Sequence, residues 1–325
     1  MLREGRSPFE EGRADGLGLE ARGRLIGLDS AGVLRAALQP EAAELAGAAP
    51  RGEALDPLGD LEAAVREGLG EERGTAKFLL RLRDGLAVEA VLIPQVEAMP
   101  ERRARLSGRR ARSTTLCVSS QVGCAQGCRF CRTASMGLVR NLDPDEILAQ
   151  VIQGRRLASE LGLPRVTNVV LMGMGEPLAN LAAVLPATEA LTDTSRLALG
   201  GKKVVLSTVG PSPAQIRALA GLGCQLAWSL HCADDSLRRR LVPSARFPTA
   251  VLRDAFLEVL LSDKRRPSLG RRLMVAVVLL RGLNDDPEHA RALVDFLRPL
   301  SKGGITVLLD LIPYNEAGLG AAFAR

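Results

Sequence analysis

The sequence has few aromatic residues and no long hydrophobic run, and these absences exclude several classes of protein. Phe, Trp and Tyr make up 3% of its 325 residues, so few rings are available on which nucleic-acid bases could stack. No apolar run approaches the roughly 20 residues that a membrane-spanning helix needs. The first 13 residues, MLREGRSPFEEGR, contain no apolar stretch of the signal-peptide type. We therefore expect a cytoplasmic protein that has no membrane contact.

Cysteine is also scarce, but three of the six cysteines lie together in the run CAQGCRFC. Cys124, Cys128 and Cys131 have the spacing C-x3-C-x2-C, with which three thiolates can hold one iron–sulfur cluster and leave its fourth iron open. An open iron lets a cluster bind and cleave a small molecule. The alternatives are a zinc site, which usually has four Cys or His ligands, and three free thiols. Because the only histidines, His231 and His289, lie far from zinc-finger spacing, the sequence favours the cluster.

The net charge of +6 is unevenly distributed along the chain. Residues 1–75 carry 15 acidic against nine basic side chains, which leaves 34 basic against 22 acidic in the remainder. The basic excess is concentrated at 102–112, 238–240 and 264–272. Such clusters can neutralise nucleic-acid phosphates, although arginines scattered over a solvated surface would give the same count. Charge alone therefore leaves both interpretations open.

The composition and the turn signals divide the chain into three predicted regions. In the second region, two alternating segments flank Asp84-Gly85, which is a strong signal for a β-hairpin. The regions are a partly helical N-terminal accessory region at 1–75, a β-hairpin with an arginine-rich connection at 76–113, and an α/β domain at 114–325.

In the third region, strand-like apolar runs alternate with helical stretches. Because the runs are continuously apolar, they indicate strands buried on both faces of a parallel sheet that helices cover. Six such units favour a partial (β/α)6 barrel over a doubly wound sheet, and both topologies place the active site at the carboxyl ends of the strands. The predicted strands are 115–119, 166–172, 203–207, 225–230, 273–280 and 305–312, and the predicted helices are 144–160, 213–221, 249–261 and 287–297.

Polar and glycine-containing motifs follow these strands, at the edge where an active site is expected. The glycines of MGMGEP would let a ligand approach the backbone, and its carboxylate could hold an ammonium group. Each motif alone also has an ordinary structural explanation, such as a turn, a buried polar pair or a strand end. Their convergence beside the cysteines favours a binding site. The motif residues include Gly175, Glu176, Ser207, Ser229, Leu230, His231 and Asn315.

Five segments together resemble the radical S-adenosylmethionine (SAM) rRNA adenine methyltransferases over about residues 77–315. They are CVSSQVGCAQGCRFCRTASMGLVRNL, NVVLMGMGEPLANL, VVLSTVG, WSLHCADDSLRRRLVP and LIPYN. The resemblance implies that the three clustered cysteines hold a [4Fe-4S] cluster and that the motif residues bind SAM. It further implies Glu89 as the general base and Cys117 as the cysteine that releases the product by attacking a thioether link. Without the resemblance, Glu89 would be interpreted as an outward-facing strand carboxylate.

The resemblance also implies a reaction and its partners. The family methylates C2 or C8 of an adenosine in large-subunit rRNA, and tRNA is a further expected substrate. The implied electron donor is a protein such as flavodoxin or ferredoxin, and the enzyme is expected to be a monomer. We therefore predict a radical-SAM methyltransferase-like enzyme that acts on RNA.

One departure from the family concerns the cysteine that carries the methyl group. The family has this residue near its C-terminus, whereas the present sequence has no cysteine beyond Cys232. Cys224 precedes a predicted strand and Cys232 is expected to point into the packed interior, so both are poor substitutes. We expect either an incomplete member that does not itself methylate, a diverged radical-SAM enzyme with a non-RNA substrate, or a methylation-incompetent RNA-binding paralogue.

Overall fold

The computed structural model describes residues 35–38, 75–95, 113–262 and 269–314, which fall into two compact units. The first unit comprises Met1–Ser119, Asp145–Gly173 and Thr194–Ala198, and the second comprises Ser120–Pro144, Met174–Asp193 and Leu199–Arg325. Several predicted features lie outside the described residues. They are most of the accessory region, nearly all of the arginine-rich connection, residues 264–268 of the basic cluster at 264–272, and Asn315. In the described part of the chain, no helix is both long and apolar enough to cross a membrane.

The described chain contains strands and helices in alternation. The strands are β1 (Arg35–Leu38), β2 (Ala76–Arg81), β3 (Ala87–Gln95), β4 (Ser113–Cys117), β5 (Gln121–Gly123), β6 (Leu138–Asn141), β7 (Val166–Leu171), β8 (Val204–Thr208), β9 (Gln225–Ser229), β10 (Arg272–Leu279) and β11 (Thr306–Pro313). The helices are α1 (Pro144–Glu160), α2 (Leu181–Thr192), α3 (Pro213–Arg217), α4 (Asp235–Leu241), α5 (Thr249–Ser262) and α6 (Pro287–Lys302). Short 3-10 turns lie at Arg132–Met136, Pro177–Asn180 and Gly201–Lys203.

The sheet of the first unit begins with the predicted hairpin, which is confirmed. Strands β1 to β4 pair in antiparallel fashion, and β4 then pairs in parallel with β7. The turn between β2 and β3 closes through a hydrogen bond from Leu82 N to Leu86 O (2.7 Å), with Gly85 at φ +84°. One face of the hairpin is buried; it consists of Phe78 and Leu80 of β2 together with residues of β3. The strand β1 is a difference from the prediction, which expected helices in this region.

Helix α1 has the predicted bounds and fixes the end of β4. Its Gln150 side chain accepts a hydrogen bond from Ser119 N (2.7 Å) and donates to Ser119 O (2.9 Å). Gln150 is fully buried, so this paired contact replaces the strand partner that the backbone of Ser119 would otherwise need. The contact determines where the chain leaves the first unit.

The second unit is built on four parallel strands, in the order β8-β9-β10-β11. Its core surrounds Trp228 of β9, which is fully buried and lies 5.2 Å from Phe256 and 6.0 Å from Phe296 between ring centroids. Strands β8 to β10 are mostly buried, as their apolar sequences predict. Strand β11 is different: Leu308 and Leu311 are about half exposed, because β11 is the last strand in the order.

The mixed α/β class with mostly parallel strands is confirmed, and the differences from prediction are local. Helix α3 ends at Arg217, four residues before the predicted end, and a turn with Gly221 at φ +82° follows. Helices α2 and α4 lie between predicted strands, but their bounds were not predicted. Helix α2 contains Pro186 and follows the MGMGEP loop through a 3-10 turn, so no clear helical start precedes it.

Candidate functional site

The three predicted cluster cysteines lie in one loop between β5 and β6. These short strands pair in antiparallel fashion and are irregular between Val122 and Gly123. Cys124 N donates to Gly137 O (2.9 Å), which closes the loop, and Cys131 N donates to Cys128 O (3.0 Å), which turns the chain inside it. A two-stranded ladder therefore holds a single compact thiol loop, which we call the cysteine loop (Cys124–Cys131).

The thiols of the cysteine loop are partly or fully buried and interact with one another. Burial, followed by the negative charge of Cys131 and Cys124, raises the pKa of Cys128 to about 12. The pKa of Cys124 is also raised, mainly by burial. A bound metal ion reverses this preference because it stabilises the thiolate. Three thiols gathered in one loop supply the donor set that a cluster with three protein ligands would need. Within the described residues, no group of three Cys, His, Asp or Glu side chains has the arrangement of a ready-made metal site.

The cysteine loop is attached to α4 and also contacts His231, the last residue of the SLH motif (Ser229–His231). Arg129 N donates to Leu241 O at the end of α4 (2.9 Å). Cys128 packs in an apolar cluster that includes Leu237 and Leu241 of the same helix. The ring of Phe130 lies edge-on to that of His231, with 4.6 Å between centroids. The cysteines and the SLH motif therefore belong to one packed site in the second unit.

The MGMGEP loop is held against the strand that enters the cysteine loop. Glu176 N donates to Gln121 Oε1 (2.8 Å), and Gly175 has φ +99° with its backbone against the Gln121 side chain. The Glu176 carboxylate accepts hydrogen bonds from Leu178 N (2.9 Å) and Val209 N (3.0 Å). Burial nevertheless raises the pKa of Glu176 above its ordinary value. The carboxylate thus joins this loop to the end of β8, and its predicted contact with an ammonium group stays a prediction.

The serines predicted from separate motifs are brought together by the strand register. Ser207 of β8 lies beside Ala227 of β9, so that Ser207 Oγ is 3.1 Å from Ser229 Oγ. Either hydroxyl can be the donor of this bond. Leu230 is fully buried, and its backbone N donates to Ala276 O of β10 (3.1 Å). The hydroxyl pair therefore forms a polar spot where β8 and β9 end.

His231 has a left-handed backbone, with φ +63°, which is uncommon for a residue other than glycine. Its ring is buried, and burial, followed by the charge of Arg238, lowers its pKa to about 3. Its Nδ1 accepts a hydrogen bond from Val278 N (3.4 Å). Asn284 donates through Nδ2 to His231 O and Val278 O, both at 2.9 Å, and accepts from Leu280 N (2.7 Å). The Asn284 side chain therefore holds His231, with its left-handed backbone, against the end of β10.

The two residues with predicted roles in proton transfer and product release, Glu89 and Cys117, lie in the first unit. Cys117 of β4 is opposite Val91 of β3, so that Glu89, two residues before Val91, shares its face of the sheet. Glu89 Oε2 is 3.3 Å from Lys77 Nζ, and both side chains are partly exposed. Burial raises the pKa of Cys117 to about 11, opposed by a backbone hydrogen bond from Met172, and the charge of Glu89 adds to the increase. The sheet thus places the carboxylate and the thiol within electrostatic reach of each other.

The sequence analysis did not identify Gln121 or Asn284, and it misassigned Arg238. The predicted surface cluster at 238–240 is wrong at Arg238, which is 1% exposed, whereas Arg239 and Arg240 are exposed. Helical periodicity offered a signal, because Arg238 is three residues before Leu241 and therefore lies on the same side of α4. Neither amide showed a distinctive local pattern, because each has a backbone partner more than 50 residues away in addition to its nearer partners. Cys232 is buried, as expected, and Cys224 is buried as well.

Comparisons with known proteins place this site in a family. The family described as the Radical SAM superfamily matches residues 118–294. The protein named dual-specificity RNA methyltransferase RlmN in Magnetococcus marinus is 43% identical over 243 residues, which cover 74% of this chain and 61% of that protein. The protein of the same name in Syntrophobacter fumaroxidans is 42% identical over 245 residues, which cover 74% and 63%.

A solved structure is also similar to the chain. The crystal structure of a radical SAM methyltransferase from Sphaerobacter thermophilus aligns with a TM-score of 0.64 at 36% identity, covering 77% of this chain and 66% of that one. This similarity is consistent with the predicted partial barrel and its N-terminal hairpin. The chain spans about three fifths of the length of the curated relatives named above.

Proposed function

Because the chain belongs to the Radical SAM superfamily, whose cofactors are a [4Fe-4S] cluster and SAM, we propose that it is a radical-SAM enzyme of the adenine-methyltransferase type that acts on RNA. Methylation of a ring carbon by this chain would need a methyl carrier other than a cysteine beyond Cys232, and Cys224 and Cys232 are the first candidates. The observation that carries the proposal is the cysteine loop, whose Phe130 packs on His231 and so joins the three thiols to the SLH motif. The identity of 42–43% to proteins named dual-specificity RNA methyltransferases supports RNA as the substrate.

The residues of the second unit are proposed to hold the two cofactors. Cys124, Cys128 and Cys131 would ligate the cluster, which when bound with SAM supplies the one-electron chemistry that activates an unreactive carbon. The remaining residues would bind SAM. The Ser207–Ser229 hydroxyl pair offers both a donor and an acceptor. The set proposed for SAM comprises Gly175, Glu176, Ser207, Ser229, Leu230, His231 and Asn315.

Glu89 and Cys117 of the first unit are proposed to act on the RNA base. The Glu89 carboxylate, paired with Lys77, would accept the proton from the ring carbon. The Cys117 thiol has a pKa of about 11 and is therefore protonated at neutral pH. It would need a nearby base before it could act as a thiolate nucleophile. The negative charge of Glu89, on the same face of the sheet, opposes this ionisation, so the thiolate would form more readily once Glu89 had accepted the ring proton.

The partners and location follow from the same proposal. The substrate would be large-subunit rRNA or tRNA, and the basic excess outside residues 1–75 provides charge for phosphate contact. A low-potential electron donor such as flavodoxin or ferredoxin would reduce the cluster. We propose that the protein acts as a monomer in the cytoplasm.

The test is nucleoside mass spectrometry of RNA, with 5′-deoxyadenosine measured in the same reaction. Anaerobically reconstituted protein is incubated with SAM, dithionite and unmodified large-subunit rRNA. Adenosine methylated at a ring carbon is the expected product. Abundant 5′-deoxyadenosine without methylated RNA would contradict methylation by this chain while keeping the radical-SAM assignment, and would indicate a missing methyl carrier or another substrate. The Cys128→Ala variant is expected to lose iron and SAM cleavage together, and SAM cleavage that survives in it would refute the cluster assignment.

A further inference from the structure

Arg238 is a cationic side chain buried beside the cysteine loop. It lies on α4 and is 1% exposed. Its Nε donates to Leu230 O (3.1 Å), and its Nη2 donates to Val209 O. These carbonyls belong to the segments that follow β8 and β9. The guanidinium therefore lies where the two strands of the proposed SAM site end.

The guanidinium is not fully satisfied by these contacts. Its Nη1 is buried and has no hydrogen-bond partner. Among the described residues, no carboxylate is within ion-pair distance of it, and Asp235, whose charge does reach it, accepts a hydrogen bond from Thr249 N instead. A buried charge without an anionic partner costs several kcal/mol, and the cost falls when a counter-charge is present. The site is therefore electrostatically incomplete in the polypeptide alone.

The cysteine loop is a second source of negative charge near Arg238, besides Asp235. The positive charge of Arg238 lowers the pKa of Cys128, against the burial that raises it. Conversely, negative charge on Cys128 and Cys232 would favour the protonated guanidinium. Cys128 also packs against Leu237, the neighbour of Arg238 on α4. Arg129 N also donates to Leu241 O (2.9 Å), so the helix that carries Arg238 is packed against the cysteine loop at two points.

We infer that Arg238 is the buried counter-charge of the iron–sulfur cluster, and that it raises the cluster's reduction potential by stabilising the reduced state. The negative charge of three thiolate ligands exceeds the positive charge of the oxidised cubane core, so the ligated cluster is already negative. Reduction by a one-electron donor adds one more negative charge. A fixed positive charge close by therefore stabilises the reduced form more than the oxidised form. The inference rests on the cluster of the proposed function and assigns to Arg238 a positioning and electrostatic role.

A purely structural role for Arg238 makes a different prediction. If the side chain only joined Val209 O and Leu230 O, its replacement would loosen the strand ends, whatever the charge of the new residue. The two roles can be separated because Arg→Lys keeps the charge and loses the planar fork, whereas Arg→Met keeps much of the length and loses the charge. Arg239→Met is the matched control, since it removes the same charge from the exposed side of the same helix.

The experiment is a redox titration of the reconstituted holoenzyme without RNA, with the reduced cluster measured by electron paramagnetic resonance. At the wild-type midpoint, the ratio of reduced to oxidised cluster is expected to fall about tenfold in Arg238→Met, a shift of about 59 mV for one electron. Arg239→Met and Arg238→Lys are expected to stay close to wild type. An Arg238→Met midpoint equal to that of Arg239→Met would overturn the inference, and so would an equal shift in the Lys and Met variants.

Two further results keep this inference separate from the proposed function. If Arg238→Met does not retain iron, Arg238→Gln takes its place, because Gln can still donate to a backbone carbonyl but has no charge. A Gln midpoint equal to wild type would again overturn the role of the charge, and a lowered midpoint would support it. Wild-type protein that assembles no cluster would refute the proposed function instead, whereas a cluster without RNA methylation leaves the potential measurable.

Discussion

Replacing Gly123 by alanine tests whether the cysteine loop depends on its two-stranded ladder. Gly123 has φ +75°, and a Cβ atom at this position would lie 1.8 Å from Gly137 O. That same carbonyl accepts the hydrogen bond from Cys124 N (2.9 Å). The substitution therefore strains the backbone and displaces the acceptor that holds the first cysteine.

The magnitude follows from three contributions. The left-handed conformation costs an alanine about 1–2 kcal/mol. Displacing Gly137 O gives up the hydrogen bond of Cys124, worth about 1 kcal/mol. Relieving the collision requires a backbone shift of the kind that costs about 1–3 kcal/mol in packed cores. Gly123→Ala should therefore lower the free energy of unfolding by about 3–6 kcal/mol, a large share of the about 5–15 kcal/mol typical of a folded domain.

Gly127→Ala is the matched control within the same loop. Gly127 also has a positive φ, +68°, but a Cβ there would meet only Pro243 carbons, at 3.8 Å or more. It should therefore cost only the backbone strain of about 1–2 kcal/mol. The assays are urea unfolding of each variant and the number of iron atoms per chain after reconstitution. Gly123→Ala is expected to lose most of its iron, and Gly127→Ala to keep it. Equal stability and equal iron content in the two variants would refute the role assigned to the ladder.

Three other predictions concern Asn284, Cys117 and Glu89. Asn284→Ala removes the contacts to His231 O, Val278 O and Leu280 N. Urea unfolding should therefore show that the free energy of unfolding falls by about 2–4 kcal/mol, and a decrease below about 0.5 kcal/mol would contradict the role assigned to Asn284. Because burial raises the folded-state pKa of Cys117 from 9.0 to about 11, its contribution to stability is full below pH 9 and is lost as the pH rises to 11. Cys117→Ala should flatten this decrease in the unfolding free energy, and Glu89→Gln should speed alkylation of Cys117 at pH 9, measured by peptide mass spectrometry. An unchanged rate would exclude the coupling between the two side chains.

The parts of the fold that the sequence predicted are those set by local pattern. Helix α1 begins at a proline, has acidic residues in its first turn and carries apolar residues at helical spacing. Its predicted bounds agree with the structure. The hairpin required only Asp84-Gly85 between two alternating segments. The cysteine loop was found for a similar reason, since its spacing lies within eight residues.

The parts that the sequence did not predict are set by distant contacts. Gln121 and Asn284 bond to backbone groups 55 and 53 residues away, and nothing in their local sequence distinguishes them from surface amides. Arg238 was counted with Arg239 and Arg240 because composition gives no information about which face of a short helix is covered. Its burial depends on how α4 packs against the cysteine loop, which is a property of the tertiary structure.

The backbone conformation of His231 indicates that the site requires its side chain rather than its backbone geometry. A glycine would adopt φ +63° without strain, whereas a histidine pays for it, so a backbone requirement alone would not call for this side chain. The imidazole is neutral above pH 3, and its Nδ1 accepts from Val278 N, which places the proton on Nε2. Since Phe130 fixes one side of the ring, His231 presents a neutral N–H donor at a set orientation beside the cysteine loop. Such a donor suits an oxygen or ring-nitrogen acceptor of a ligand. It would do so unchanged across the neutral pH range, because protonation would require a pH near 3.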